Sequence, residues 1–220
     1  MGVRLNIDVG ELRDEPAELY ASAHLVNVAC GGHAGDAGSM ARAAWLARAW
    51  GAEVGAHPGY PDRAGFGRVS LPMSAEAVRA AVRAQCGALA AVVGPVHHMK
   101  AHGALYHDAD RDPSLAAAVV DGAVDALGPV YVLGPAHGHL AAAAAARGLP
   151  FLVEGFADRG VGPDDRLIPR GQPGALLTDP GLAAARAATL LREGRVGTIG
   201  VHGDTPGAVA IARAVRAVLG

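Results

Sequence analysis

Four short segments carry groups suited to acid–base, metal or anion chemistry. Gly55-Ala56-His57-Pro58-Gly59 sets an imidazole just past an apolar run and fixes it with a Pro-Gly turn. There it can ligate a metal, shuttle a proton or simply bond a neighbouring carbonyl. Lys100-Ala101-His102 puts an ammonium and an imidazole on one face of a strand, because strand side chains repeat every second residue, and that pairing suits an anionic or carbonyl substrate. Val201-His202-Gly203-Asp204 repeats the arrangement with an imidazole and a carboxylate. Cys30-Gly31-Gly32-His33-Ala34-Gly35-Asp36 is a glycine-dense turn that lets backbone amides approach an anion closely, although Asp36 reads first as the cap of the following helix. Asp8, His33, His57, His102, His202 and Asp204 supply enough nitrogen and oxygen donors for a divalent metal if the fold gathers them, with Asp8, His57 and His102 as the first set. Spacing alone does not indicate a metal, since the only close His pair with one residue between is His137-Gly138-His139. No Gly-x-Ser-x-Gly elbow and no phosphate-binding P-loop occurs, which excludes a serine hydrolase and a self-contained P-loop ATPase.

Scarcity adds a second signal. Of 19 basic residues only Lys100 is not Arg, and Asn6 and Asn27 are the sole asparagines. Where composition favours Arg, a surviving Lys suggests a need for a compact ammonium, which a planar guanidinium cannot imitate. Chance retention is the alternative for the two asparagines.

The elements that must position these groups follow from pattern. Short β-type runs (3–8, 25–29, 53–56, 96–100, 130–133, 151–154 and 198–201) alternate with Ala-rich amphipathic stretches, which argues for βα units around a largely parallel sheet. Asp112-Pro113, Asp179-Pro180 and Thr205-Pro206 read as helix starts, as does Ser74, and Gly128, Gly148 and Gly194 as stops. Val78, Val82, Gln85, Leu89 and Val93 form a helical stripe toward the core. Seven strands suggest a barrel, with a doubly wound open sheet as the competing architecture. The chemistry-bearing residues all lie where predicted strands end, and in parallel βα folds those ends share the face on which active sites form. His97 and His98 fall on opposite faces of one strand, so at most one can join that face.

Composition bounds the rest. At 220 residues, 51% apolar and 18% charged, residues 1–220 read as one globular domain, and a net charge of −2 offers no field for a nucleic-acid backbone. No apolar run is long enough for a membrane span, and no signal peptide is evident. Two cysteines, Cys30 and Cys86, point to a reducing cytoplasm.

Several segments together carry a resemblance. Asn6-x-Asp8-x-Gly10-Glu11, Asn27-Val-Ala-Cys30-Gly-Gly-His33-Ala-Gly-Asp36, Gly55-Ala-His57-Pro-Gly59 and Gly65-Phe-Gly-Arg68 resemble the LamB/YcsF family. So do Lys100-Ala-His102-Gly-Ala-Leu-Tyr106, Phe156-Ala-Asp158-Arg159, Pro169-Arg170 and Val201-His-Gly-Asp204-Thr-Pro-Gly207, in the same order along essentially the whole chain. The resemblance implies an irregular seven-stranded (β/α) barrel of the glycoside hydrolase/deacetylase kind. It implies ATP-dependent opening of the 5-oxoproline lactam to L-glutamate, with two further subunits, B and C, and ATP as co-substrate held here or on a partner. Under it Asp8, His57, Lys100, His102, His202 and Asp204 are catalytic candidates. Asn6, Glu11, Asn27, Gly31, Gly32, His33, Asp158, Arg159 and Arg170 are substrate-binding candidates, with Lys100 and the turn at 31–35 taking carboxylate or phosphoryl charge. The chain departs from the family pattern in trimmed loops after Glu11 and between Arg195 and Thr198, and at Ala101 and His107. Two other readings stand beside it: a stand-alone metal-dependent amidohydrolase or deacetylase, and a non-catalytic subunit that carries substrate. Homo-oligomerisation is left open.

Overall fold

The computed structural model describes residues 2–136, 138–162 and 167–220; His137 lies outside them. Seven strands, β1 (Arg4–Val9), β2 (Leu25–Ala29), β3 (Glu53–His57), β4 (His98–Lys100), β5 (Tyr131–Gly134), β6 (Phe151–Phe156) and β7 (Thr198–His202), pair in sequence order. Every pairing is parallel, and β7 closes on β1 with Asp8 opposite His202, so the sheet is a closed barrel rather than an open one. Around it run α1 (Glu18–Ser22), α2 (Ala37–Trp50), α3 (Ala75–Val93), α4 (Gly103–Arg111), α5 (Pro113–Leu127), α6 (His139–Ala146), α7 (Pro180–Glu193) and α8 (Ala208–Leu219).

Strand alternation sorts the side chains. Leu5, Ile7, Val9, Val26, Val28 and Met99 are fully or almost fully buried and belong to the apolar cluster that includes the helices' inner faces. The opposite face turns Asn6, Asp8, Asn27, His57, His98, Lys100 and Glu154 into the barrel, all buried. Barrels of this type are normally filled by branched apolar layers; here the filling is polar, and two wall glycines make the room. A Cβ at Gly55 would sit 2.1 Å from His98 Nε2, and one at Gly200 would sit 2.7 Å from Glu154 Oε1.

Of the five helix starts read from the sequence, four hold and one does not. Asp36, Ser74, Asp112 and Asp179 each cap a helix through the side chain, and Gly128 and Gly194 end α5 and α7. The stripe of α3 is buried from Val78 to Val93. The exception is Thr205-Pro206: α8 starts at Ala208 behind a left-handed Gly207. The Thr205 hydroxyl is used instead to donate to Asp158 Oδ2 at 2.6 Å, so it anchors the loop before the helix and does not cap it.

Candidate active site at the barrel mouth

At the centre is Lys100. Its ammonium lies 2.9 Å from Asp8 Oδ1, 2.9 Å from Glu154 Oε1 and 3.1 Å from Asn6 Oδ1, with the Phe156 ring 5.1 Å away. Burial opposes its charge, but the carboxylates of Asp8 and Glu154 outweigh burial and hold the pKa above the ordinary lysine value. Lys100 is therefore a fixed cation, donating to Asn6 and Asp8 and paired with Glu154. Asn27 ties the carboxylate side of this group together, donating from Nδ2 to both Asn6 Oδ1 and Asp8 Oδ1 at 2.7 Å. Its own oxygen accepts from His98 Nε2 at 2.8 Å. Of the His97–His98 pair it is thus His98 that enters the barrel, while His97 stacks on Tyr131 outside.

Above this layer three imidazoles surround Glu11. His33 Nε2, His102 Nδ1 and His57 Nε2 lie 3.0, 3.1 and 3.7 Å from Glu11 Oε1. His57 Nε2 is also 3.5 Å from Asp8 Oδ2, and His33 stacks on His102 with ring centroids 3.5 Å apart. Two histidines are anchored from behind: His57 Nδ1 donates to the Lys100 carbonyl at 2.8 Å, and His102 Nε2 donates to the Phe66 carbonyl at 2.9 Å. Phe66 occupies the left-handed region (φ 54°) between two glycines, a strained position for a bulky residue that aims its carbonyl at His102. The His57 turn is held from α3, where Gln85 accepts from Gly59 N and donates to Gly59 O at 3.0 and 2.8 Å.

Electrostatics separates these groups. Burial disfavours the charge on Asp8, yet His57 and Lys100 hold its carboxyl well below the usual range. Glu11 is likewise lowered, its burial overcome by the His102 and His33 imidazoles that face it. Burial opposes the imidazolium of His57 too, but Asp8 beside it raises the pKa. His33 and His102 are dominated by burial and lowered, His33 to about 4.

On the β7 side, Asp158 accepts from the backbone N and from Nδ1 of His202 at 3.0 and 3.1 Å, and from Thr205. That orients His202 so that Nε2 faces Asp8 Oδ2 at 3.9 Å, with the ring stacked on Phe156. His202 is 13% exposed at its side chain and so lies nearer solvent than Lys100 or His57. Beyond it Asp204 is bracketed by Arg68 and by Arg170, the latter at 3.3 Å. Arg159, whose pKa burial and the Arg170 charge lower to about 10, donates to the carbonyls of Ala175 and Ile168 at 3.0 and 2.7 Å.

The fold thus brings Asn6, Asp8, Glu11, Asn27, His33, His57, Lys100, His102 and His202 together, as strand-end reasoning expects. It sets Asp204 and Arg170 at the rim. It spends Asp158 and Arg159 on internal bonds. Gly31 and Gly32 are turned to structure as well: the Gly31 amide donates to the Ala34 carbonyl at 2.8 Å, and a Cβ at Gly32 would strike the Gln85 amide at 2.2 Å. The expected metal set of Asp8, His57 and His102 is drawn differently, because Asp8 Oδ1 is taken by Lys100 and Asn27 while Glu11 and His33 converge on His57 and His102. Of the three further residues here, Glu154 stands at a strand end and His98 is one of a pair of which one can face the site, whereas Gln85 reads only as part of the α3 core stripe. Glu154 had a readable signal, the one charge in the apolar run Phe151–Phe156.

Seven parallel strands closed into a barrel, with buried ionisable side chains at their carboxyl ends, define a (β/α)-barrel protein that builds its working site at one mouth. The LamB/YcsF family matches residues 3–220. The chain belongs to that family. It is 44% identical to the 5-oxoprolinase A subunit of Streptomyces griseus over 237 residues, covering 98% of this chain and 94% of that one. It is 41% identical to the 5-oxoprolinase A subunit of Heliobacterium modesticaldum, covering 100% and 94%. Among solved structures, the lactam utilization protein from Thermus thermophilus superposes with a TM-score of 0.90 at 36% identity, over 100% of this chain and 96% of the other. A GH113 β-1,4-mannanase, at TM-score 0.60 and 13% identity over 100% and 99%, shares the fold alone. Both 5-oxoprolinase relatives align over more positions than the 220 residues present here, which fits trimmed loops.

Proposed function

We propose that this chain is the A subunit of a 5-oxoprolinase, opening the lactam of 5-oxoproline to L-glutamate at the expense of ATP and together with B and C subunits. The observation that carries the reading is the mouth itself, where an Asp158-oriented His202 faces Asp8 beside the fixed charge of Lys100. The names of the relatives, a 5-oxoprolinase A subunit and a lactam utilization protein, supply the substrate class.

A lactam carbonyl is a weak electrophile, so transfer of the terminal phosphoryl group to its oxygen activates the carbon and releases ADP. Water then adds to that carbon, the C–N bond breaks and the ring nitrogen takes up a proton. The resulting acyl phosphate loses phosphate to a second water, leaving glutamate. His202 suits removal of the attacking water's proton, because Asp158 fixes its Nδ1–H and leaves Nε2 toward the mouth. Arg68 and Arg170 suit the substrate carboxylate or phosphoryl oxygens, with Asp204 holding both guanidiniums in place. Lys100, bound between Asp8, Asn6 and Glu154, acts as a positioning residue that keeps Asp8 ionised and in place. Asn6 and Asn27 serve the same layer.

Both cysteines are free and buried, in keeping with a reducing cytoplasm, and no described helix is long and apolar enough to cross a membrane. The imidazole cluster at Glu11 favours one second reading, a metal-dependent amide hydrolase that needs no ATP. The deciding experiment measures glutamate released from 5-oxoproline with and without ATP, by the purified chain and by the chain mixed with B and C subunits. ATP-dependent release only in the mixture is expected. No release from the mixture, with all subunits folded, would discard the proposal, and ATP-independent release by the chain alone would favour the second reading.

A further inference from the structure

The arrangement around Glu11 contains an electrostatic conflict. Carbonyl oxygens carry no hydrogen, so His57 Nδ1 and His102 Nε2, each bonded to one, must be the protonated nitrogens. In their neutral forms His57 Nε2 and His102 Nδ1 are then bare lone pairs, and they point at each other across 3.0 Å. Both also face the Glu11 carboxylate, with Asp8 behind. Lone pairs and an anion packed this tightly inside a protein require a positive charge between them.

A proton shared by the two imidazoles supplies such a charge to one pair of atoms. Four donors converge here, however. Glu11 Oε1, His33 Nε2, His57 Nε2 and His102 Nδ1 all lie within 4.8 Å of one another. Zinc–nitrogen and zinc–oxygen bonds of about 2.0–2.1 Å in a tetrahedron place ligand atoms about 3.3 Å apart. Four of the six separations, 3.0, 3.0, 3.1 and 3.7 Å, bracket that edge, and the other two lie within 4.8 Å. Metal-bound histidines characteristically donate their other N–H to a carbonyl or carboxylate, which is how His57 and His102 are held. His33 Nδ1 has no hydrogen-bond partner among the described residues, so its tautomer is unfixed and Nε2 is free to offer a lone pair.

We propose that Glu11, His33, His57 and His102 form a binding site for one divalent transition-metal ion of the zinc class. The site stands on this geometry and not on the identity of the substrate. Nitrogen-rich donors with a single carboxylate favour zinc-class ions over magnesium or calcium, which take oxygen ligands.

The test uses the full chain, stripped with a chelator and titrated with Zn²⁺, with bound metal counted per chain after desalting. Co²⁺ serves as a coloured stand-in. One ion per chain, an intense visible band with Co²⁺ and a rise in melting temperature with Zn²⁺ are expected. Glu11→Gln and His102→Gln, each checked for fold by circular dichroism in chelator, should weaken binding at least about tenfold, while Asp204→Asn binds as the parent does. A parent chain that retains no zinc and gives no cobalt band would overturn the proposal in favour of the shared proton. So would variants that bind as tightly as the parent. Should either variant fail to fold, the parent's cobalt spectrum decides alone: a weak octahedral band rules the site out. None of these readouts uses turnover, so they stand or fall separately from the lactam reaction.

Discussion

Replacing Lys100 with Met removes one charge and nearly no volume, and leaves two carboxylates buried without the ammonium that lies 2.9 Å from each. Asp8 keeps Asn27 and His57 as partners, but Glu154 Oε2 has no hydrogen-bond partner among the described residues, and Glu154 has no other described ion pair. Breaking a buried pair from one side costs about 3–5 kcal/mol, and that is the loss expected at pH 7. The folded variant escapes part of it by taking up one proton that the unfolded chain releases. Its stability should therefore fall as pH rises, by about 1.4 kcal/mol per unit across the window in which only the folded state holds that proton. Lowering the pH from 7 to 6 should restore about that much relative to the parent. Adding Glu154→Gln to Lys100→Met removes the stranded charge and should recover roughly 1–3 kcal/mol at pH 7, with the extra pH slope gone. Urea denaturation of the parent, both single variants and the double variant at pH 6, 7 and 8 reads all of this. Equal losses in Lys100→Met and the double variant, with no difference in pH slope, would refute the account of Lys100 as the counter-charge of this layer. Turnover should stay lost in the double variant, since restoring stability does not restore the ammonium.

Two further outcomes test the packing and the titration. Gly122→Ala in α5 would put a Cβ 2.6 Å from the Arg79 carbonyl in α3, whereas Gly87→Ala in α3 meets only Ala126 at 4.0 Å. Thermal melts should show Gly122→Ala losing about 1–3 kcal/mol despite its better helix propensity and Gly87→Ala gaining up to about 1 kcal/mol; the same sign for both would contradict the close approach of the two helices. Burial, then the charges of Arg111 and Arg159, lower the His107 pKa to about 4. Between the unfolded value near 6.5 and that folded value only the unfolded chain binds the proton, so this contribution is present above pH 6.5 and lost as pH falls toward 4. The parent should lose on the order of 1–3 kcal/mol relative to His107→Gln across that window, and parallel pH–stability curves would show that His107 is not buried as described.

Much of this site could be read before any coordinates because strand periodicity and strand-end placement are local properties. The scarce residues are the clearest instance: Lys100, Asn6 and Asn27 meet in one network, with Nζ 3.1 Å and Asn27 Nδ2 2.7 Å from the same Asn6 oxygen. An amide is needed at Asn27 because the position must donate to Asp8 and accept from His98 at once. What could not be read depends on contacts between distant segments. Glu11 and His33 are both readable as candidates, but that they meet His57 and His102 at one point follows only from the pairing of β1 through β4 and the turns their loops take. Asp158 looks like a ligand-facing residue from its place after β6, and only the position of β7 shows that it serves His202. Thr205 precedes a Pro in a helix-start pattern, but the bond to Asp158 holds it in the loop.

The doubly bonded amide of Gln85 gives the His57 turn an unusual dependence. Gly59 is not merely adjacent to α3; its N–H and C=O are both paired by a side chain that belongs to that helix. The turn therefore cannot swing outward as a surface loop does unless the outer helix also lifts, and the cost of exposing His57 is inherited from the cohesion of the α3–α5 layer. In hydrogen-exchange language, the Gly59 amide should share the opening free energy of α3 rather than that of the loops around it. A lesion buried between two peripheral helices, such as Gly122→Ala, would then register at the barrel mouth as faster exchange, without any change in the residues that line it.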